Sequence, residues 1–370
     1  MDFVSIIFTV NPGATSTKCA LYQVLDKRIK KITSETINHP DEIINQFETV
    51  ASQIYYRERL VHQFISSNLP LKGKIIACAG RGGMLTPVPS GVIKINEELV
   101  NFSLNRPSYQ HASNLGAPLA YRVAKIYKVD AFIVDPVSVD EFTPIARISG
   151  SPDFLRFSFV HALNIRAAVR KLSERLGKKF KEMRCVIAHL GAGFSIAAFD
   201  RGKIVDNDNR MESAPFTPER AGGIPPIPLI NACFSGKYSK KELMKKLYGE
   251  AGVYAYLGTK DMREIEQRVK DGDEFTTLIY DAMIYQICKE IGAMASVMNF
   301  DIDGIIITGG LAKDRILIGR ISEKVHKIGS IYIYPGSNEN EALAQSVLRV
   351  LQGVEKFMIW PVRVNKEEKR

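Results

Sequence analysis

The sequence predicts an α/β protein in which one fold unit occurs twice, and three observations carry that prediction. First, residues 7–21 read IFTVNPGATSTKCAL and residues 186–199 read VIAHLGAGFSIAAF. Each is an apolar run, a loop of Gly and small residues, and a second apolar run. Gly13 aligns with Gly191 and Ala20 with Ala198, an offset of 178 (191 − 13 and 198 − 20). Second, IIACAG at 75–80 resembles IIITGG at 305–310. Third, 370 residues at 45% hydrophobic and 24% charged suit two packed domains of ordinary size. Each copy therefore opens with a strand–loop–strand hairpin. Its Gly residues allow close backbone approach to a phosphate, and its N–H groups are exposed. Two facing lobes are expected, with a phosphorylated nucleotide in the cleft between them.

The elements follow in order. Strands are expected at 3–10, 18–25 and 28–37, a meander whose first turn is the Gly loop. Asp41 as a cap, with apolar residues at helical spacing, predicts a helix over 41–67. A short buried strand at 75–79 empties into Gly80-Arg81-Gly82-Gly83. A helix over 112–128 and a strand over 131–134 follow, ending at Asp135-Pro136. The turn-rich stretch 147–152 is the expected boundary, so the domains are 1–150, rejoined by 341–370, and 151–340. The second domain begins with a helix over 157–176, restarts its sheet at Arg184 and turns at Asp200-Arg201-Gly202-Lys203. Five prolines between 215 and 228 argue against regular structure there, and a proline-rich loop in a compact domain points to function. Helices fill 239–300, and a buried strand at 304–308 runs into Gly309-Gly310. A closing helix over 338–351 carries Leu343, Val347, Leu348 and Leu351 on one face, with Gly353 as its cap.

Net charge is +10, with Lys and Arg spread along the chain and no basic stripe interleaved with aromatics. Anionic substrates are expected and nucleic acid is not. The densest basic stretch, 166–184, reads as an outer helix with a solvated face. Cys19, Cys78, Cys185, Cys233 and Cys288 show no CxxC spacing and sit mostly within apolar runs. They read as small buried hydrophobes in a reducing cytosol, with no metal site built from Cys and His. The first apolar run ends at Val10 without a basic leader, and nothing approaches the ~18 apolar residues of a membrane span. A cytoplasmic protein with no membrane partner is expected.

Neither a Walker A pattern nor a Rossmann fingerprint occurs. NPGATSTK at 11–18, however, resembles the Asn-x-Gly-[Ser/Thr]-Ser-Ser-x-Lys signature of the acetate and butyrate kinases. AHLGAGFS resembles their second phosphate loop, and IIITGGLAKD their adenosine loop. GRGGMLTPVPSG and PFTPERAGG resemble the butyrate kinase branch. The resemblance runs from Asn11 to the helix at Glu341. It implies two duplicated actin-like (ribonuclease H-like) domains and transfer of the γ-phosphoryl of ATP to a short-chain carboxylate.

By the same resemblance, Arg81 holds the carboxylate, with Gly82, Gly83 and His111 beside it. Arg220 stabilises the phosphoryl group in flight, where a fixed fork of donors suits its oxygens. His161 lies near that group. Asn11, Gly13, Ser16, Lys18, His189, Gly191, Gly193, Gly309 and Gly310 hold ATP. Asp135, Glu341 and Asn11 stand near Mg²⁺, which takes few carboxylates. Asp135 is also counted among the catalytic residues. The chain departs from the signature at Ala14, where the family has Ser or Thr. No general base is needed, because a carboxylate is ionised at neutral pH.

The expected reaction is butanoate plus ATP giving butanoyl phosphate plus ADP. An acetate, propionate or branched-chain acid kinase stays open. So does a nucleotide switch related to heat-shock-70 and actin, which would not need Arg81 and Arg220. The two glycines after Arg81 are expected to make room for a longer acyl chain. A homo-oligomer, dimer or higher, is expected.

Overall fold

The computed structural model describes residues 3–208, 213–336 and 338–362. They divide into two compact units. The first takes the described residues within Met1–Asp140, Ala162–Asn164 and Asn338–Arg370; the second takes those within Glu141–His161 and Ile165–Ser337.

In the first unit, β1 (Val4–Pro12), β2 (Ser16–Leu25) and β3 (Arg28–Asn38) form the expected antiparallel meander. Two helices, α1 (Asp41–Ile44) and α2 (Ile54–Asn68), lead to β4 (Gly73–Arg81), which pairs in parallel with β1. Next come β5 (Val92–Lys94), α3 (Glu97–Asn105), α4 (Gly116–Tyr127) and β6 (Asp130–Val134).

The second unit holds α5 (Pro144–Arg147) and most of α6 (Ala162–Leu176). Its hairpins join β7 (Arg184–Leu190), β8 (Phe194–Asp200) and β9 (Lys203–Asn207). Five helices follow: α7 (Pro226–Phe234), α8 (Lys240–Leu247), α9 (Val253–Leu257), α10 (Met262–Lys270) and α11 (Glu274–Ser296). Then come β10 (Gly304–Gly309), α12 (Arg315–Val325) and β11 (Ile331–Pro335). The chain returns to the first unit with α13 (Glu339–Leu351) and β12 (Phe357–Ile359).

The duplication is explicit in the sheets. The first orders its strands β12-β5-β6-β4-β1-β2-β3 and the second β11-β10-β7-β8-β9. In both, a three-stranded meander is extended by two parallel strands, β4 and β6 or β10 and β11. The central strands β7, β8 and β10 read as near-continuous apolar runs because both faces are covered. At the rim, β3 is mostly exposed and charged, which discourages edge-to-edge pairing.

Several elements differ from expectation. The helix expected over 41–67 is split. Ser52 donates to the Thr49 carbonyl at 2.7 Å, and a 3₁₀ turn at Ala51–Gln53 precedes α2. Such local Ser/Thr bonding competes with the helix ladder. The helix expected over 112–128 opens with a 3₁₀ turn, Ala112–Leu115, capped by the His111 side chain. α6 starts at Ala162 rather than at 157, because the amide of His161 donates to Ser195 Oγ. The proline-rich stretch does contain helix: α7 begins at Pro226, where no intrahelical N–H is required. The cap residue of α13 is Gln352, and Gly353 follows it at φ 71°. Cys233 is exposed, whereas Cys19, Cys78 and Cys185 are buried. The stretch 147–152 falls inside the second unit. There Glu141 accepts from Ile204 N–H and Arg156 pairs with Asp206, tying this segment to β9.

Glycines set the contacts at the parallel strand ends. A Cβ on Gly80 would lie 2.2 Å from the Gly116 carbonyl, and one on Gly116 would lie 2.2 Å from the Arg81 carbonyl. Gly80→Ala is therefore expected to lower stability by about 1–3 kcal/mol through overpacking. Gly13→Ala, whose nearest neighbour stands at 3.4 Å, should change stability by less than about 0.5 kcal/mol. Chemical denaturation of the two variants checks this.

Candidate active site

In the first unit, the Gly13 amide donates to the Ser16 carbonyl at 2.7 Å, closing the tight turn between β1 and β2. Asn11 is buried at the end of β1, directly opposite the exposed Lys18. The Asn11 amide nitrogen donates to Glu339 Oε2, and its oxygen accepts from Arg81 Nη1 at 3.3 Å. Arg81, the last residue of β4, also pairs with Glu339 Oε2 at 3.3 Å. Asn164 Nδ2 donates to the other carboxylate oxygen of Glu339 at 3.1 Å. Asn11, Arg81, Asn164 and Glu339 thus converge. Arg81 uses Nη1 alone; among the described residues its Nε and Nη2 meet no acceptor. That leaves one bidentate edge for an incoming carboxylate.

The acidic residue that joins Asn11 and Arg81 is Glu339, not Glu341. The two stand about 200° apart around a helix of 3.6 residues per turn. Glu341 accepts from Gln345 at 3.4 Å, and its charge helps raise the phenol of Tyr22, second to burial.

Asp135 sits just past β6 in left-handed backbone, φ 39°, and its Oδ1 accepts from Gly91 N–H at 2.7 Å. His111 Nδ1 accepts from Ser113 N–H at 3.1 Å, so Ser113 Oγ, 2.8 Å away, donates to it.

Gly82 and Gly83 do not open space for an acyl chain. A Cβ on Gly82 would lie 2.4 Å from Pro136 Cβ, and one on Gly83 would lie 2.5 Å from Asn114 Oδ1. Pro136 and Asn114 fill the space that a side chain at either glycine would need.

In the second unit, Gly191-Ala192-Gly193 links β7 to β8. Arg220 lies against this loop: a Cβ on Gly193 would come within 2.7 Å of Arg220 Nη1. The loop that carries Arg220 is tied to it, since Thr217 Oγ1 donates to the Ala192 carbonyl at 2.9 Å and accepts from the Arg220 amide at 3.1 Å. Burial lowers the Arg220 pKa, but from a value so high that the cation persists. His189, buried on β7, stacks on His161 with ring centroids 4.4 Å apart. His161 Nδ1 stands 2.8 Å from the buried Ser195 Oγ. Gly309 has φ 96°, and its Cβ would collide with the Leu190 carbonyl at 2.1 Å; Gly310 has open space.

Gly191, Ala192 and Leu311 line a cavity of about 380 Å³ with Pro218, Glu219 and the segment Lys260-Asp261-Met262-Arg263. Asp261 accepts two bonds from the Arg263 guanidinium, at 3.0 and 2.7 Å, which hold its carboxyl near pKa 2.

A sequence model of the acetokinase family matches residues 156–368, more than half of the chain. The chain belongs to the acetokinase family. It is a carboxylate kinase, an ATP-using phosphotransferase. Its fold is similar to that of Porphyromonas gingivalis acetate kinase, with TM-score 0.72 and 18% identity, covering 94% of this chain and 100% of that one. A propionate kinase from Francisella tularensis gives 0.64 at 18% identity, covering 92% and 98%. Acetate kinase from Entamoeba histolytica gives 0.67 at 15% identity, with the same coverage.

Two residues behind the first loop escaped the sequence reading. Arg57 is fully buried on α2 and donates to the Gly13 and Ala14 carbonyls at 2.8 and 3.2 Å. The signal was present: Arg57 shares the apolar stripe of Ile54, Val61 and Ile65. The other is His39, whose Nε2 stands 2.8 Å from Thr17 Oγ1. Thr17 Oγ1 also accepts from Arg57 Nη1 at 3.1 Å, so it joins Arg57 to His39.

Burial first, and the Arg57 charge second, lower the His39 pKa from 6.5 to about 4. Between these values the unfolded chain binds a proton that the folded chain refuses. This contribution is therefore complete above pH ~6.5 and is lost as pH falls through ~4, up to about 3 kcal/mol in size. Denaturation from pH 7.5 to 4 should show a shallower loss of stability for His39→Gln than for the wild type.

Proposed function

We propose that this carboxylate kinase phosphorylates butanoate, giving butanoyl phosphate and ADP. Arg81 carries the reading: it already grips one carboxylate, that of Glu339, through Nη1, and keeps its Nε/Nη2 edge for another. The acid docks on that edge. Its oxygen attacks the γ-phosphorus of ATP, forming the new P–O bond while the bond to the β,γ-bridging oxygen breaks. ADP leaves with that electron pair, and no proton need move. Arg220, lying on the second glycine loop, receives charge on the phosphoryl oxygens in flight. His161, oriented by Ser195, and His189 stand beside the same loop. The adenosine occupies the cavity lined by Leu311 and the 260–263 segment.

The hard oxygens of Glu339 and Asn11 fit Mg²⁺, with Asp135 as a further carboxylate. A Mg²⁺ held by these residues would supply neutralisation of phosphate charge. Glu339 takes the metal-side part that the family resemblance implied for Glu341.

A four-carbon acid is supported by GRGGMLTPVPSG and PFTPERAGG, which resemble the butyrate kinase branch. One observation favours a shorter acid, acetate or propionate: the spaces beside Gly82 and Gly83 are filled by Pro136 and Asn114. A homo-oligomer in the cytoplasm completes the proposal. The exposed Ile227, Ile230 and Phe234 of α7 support self-association, and among the described residues no helix is long and apolar enough to cross a membrane.

The deciding experiment supplies ATP, Mg²⁺ and unbranched or branched acids from two to six carbons, and traps the acyl phosphate with hydroxylamine. Butanoate should give the highest kcat/KM; a maximum at acetate would reverse the assignment. Arg81→Ala should raise the KM for the acid and leave that for ATP nearly unchanged. Arg220→Ala should lower kcat about a hundred- to a thousandfold. A kcat within a few-fold of wild type would remove Arg220 from the chemistry.

Glu339→Gln should weaken Mg²⁺-dependent turnover and recover in part at high Mg²⁺, whereas Glu341→Gln should behave like the wild type. Mg²⁺ titrations of both variants decide between the two glutamates.

A further inference from the structure

The first glycine loop is built over a buried cation that has no anion beside it. Arg57 is 0% exposed. Its Nε and Nη2 donate to Gln53 Oε1 at 3.0 and 2.8 Å. Its Nη1 donates to the Gly13 carbonyl at 2.8 Å and Thr17 Oγ1 at 3.1 Å, and Nη2 also reaches the Ala14 carbonyl at 3.2 Å. Every one of these acceptors is neutral. Among the described residues, no carboxylate lies within ion-pair distance of Arg57, and burying an unpaired charge is costly. Neighbouring His39 is held neutral and adds no compensating charge.

The other side of the loop is arranged to match. In a trans peptide the C=O and the following N–H point in opposite directions. With the Gly13 and Ala14 carbonyls turned toward Arg57, the N–H groups of Ala14 and Thr15 turn away from it. Ala14 and Thr15 are exposed, and neither amide donates to a protein acceptor among the described residues. Two adjacent outward N–H groups with a cation behind them form an anion cradle.

We propose that Arg57 is a positioning residue whose counter-charge is the polyphosphate of the nucleotide: it locks the loop with its N–H groups outward and lends the cradle a positive potential. This rests on the kinase reading of the first loop. It adds that phosphate affinity is set from behind, by a side chain that never touches the ligand.

Gln53→Glu separates charge from architecture. It keeps the shape and the Arg57 bonds but sets a carboxylate against the guanidinium. Calorimetry on the full-length protein would compare ATP, tripolyphosphate and adenosine, with thermal melting alongside. Gln53→Glu should melt at or above the wild-type temperature yet bind ATP and tripolyphosphate on the order of tenfold more weakly, with adenosine unchanged. Arg57→Gln should lose the same polyphosphate affinity at a lower melting temperature. Unchanged polyphosphate binding in a well-folded Gln53→Glu protein overturns the proposal, as does a parallel loss of adenosine. The kinase reading fails separately: wild-type protein that binds tripolyphosphate but gives no hydroxamate with any acid refutes that reading and leaves the cradle standing.

Discussion

Close backbone approach at the ends of the parallel strands is the constraint on which the rest of this molecule depends. At the end of β4, the strand reaches the start of α4 through Gly80 and Gly116, and side chains at either position would occupy the opposing carbonyl. At the end of β10, Gly309 meets the Leu190 carbonyl in the same manner. Loops that bind anions need exposed N–H groups, and exposed N–H groups need a backbone placed to within fractions of an ångström. Glycine packed against carbonyl supplies such close placement at a parallel strand end in each unit.

On this scaffold the cations are graded by what compensates them. Arg81 is compensated by Glu339 and Asn11 through Nη1 alone. Arg220 is packed on a glycine loop with its charge largely desolvated, which strengthens its field on anything that enters. Arg57 is fully buried and solvated by neutral carbonyls and an amide. The sequence presents all three simply as arginines. Their differences arise from which elements close around them.

Much of the fold was legible. The meanders, the parallel strands and the duplication follow from apolar periodicity and from repeated Gly loops, both local properties of the chain. The interruptions were harder to read. The break in the 41–67 helix comes from Thr49–Ser52 side-chain bonding, and the late start of α6 from a contact with Ser195, far away in sequence. Asn11 and Arg81, each singled out near a strand end, are brought together by the packing of β1 against β4. Glu339, the carboxylate beside Arg81, was not singled out from the sequence, which pointed only to Glu341. Both lie in the first turn of one helix, and only the docking of α13 on β1 and β2 decides which carboxylate meets Arg81.

That the chain is a duplicated α/β protein with glycine loops at matching places follows from its residues alone. Strand periodicity and glycine's conformational freedom are properties of the residues themselves. Tertiary structure decided what those glycines are for. Gly82 and Gly83, read as room for substrate, are filled by Pro136 and Asn114, because a missing side chain makes space only where no neighbour moves in. It also decided that Arg57, one arginine on an apolar stripe, lies beneath the first loop, since burial and partnership exist only after distant segments have packed.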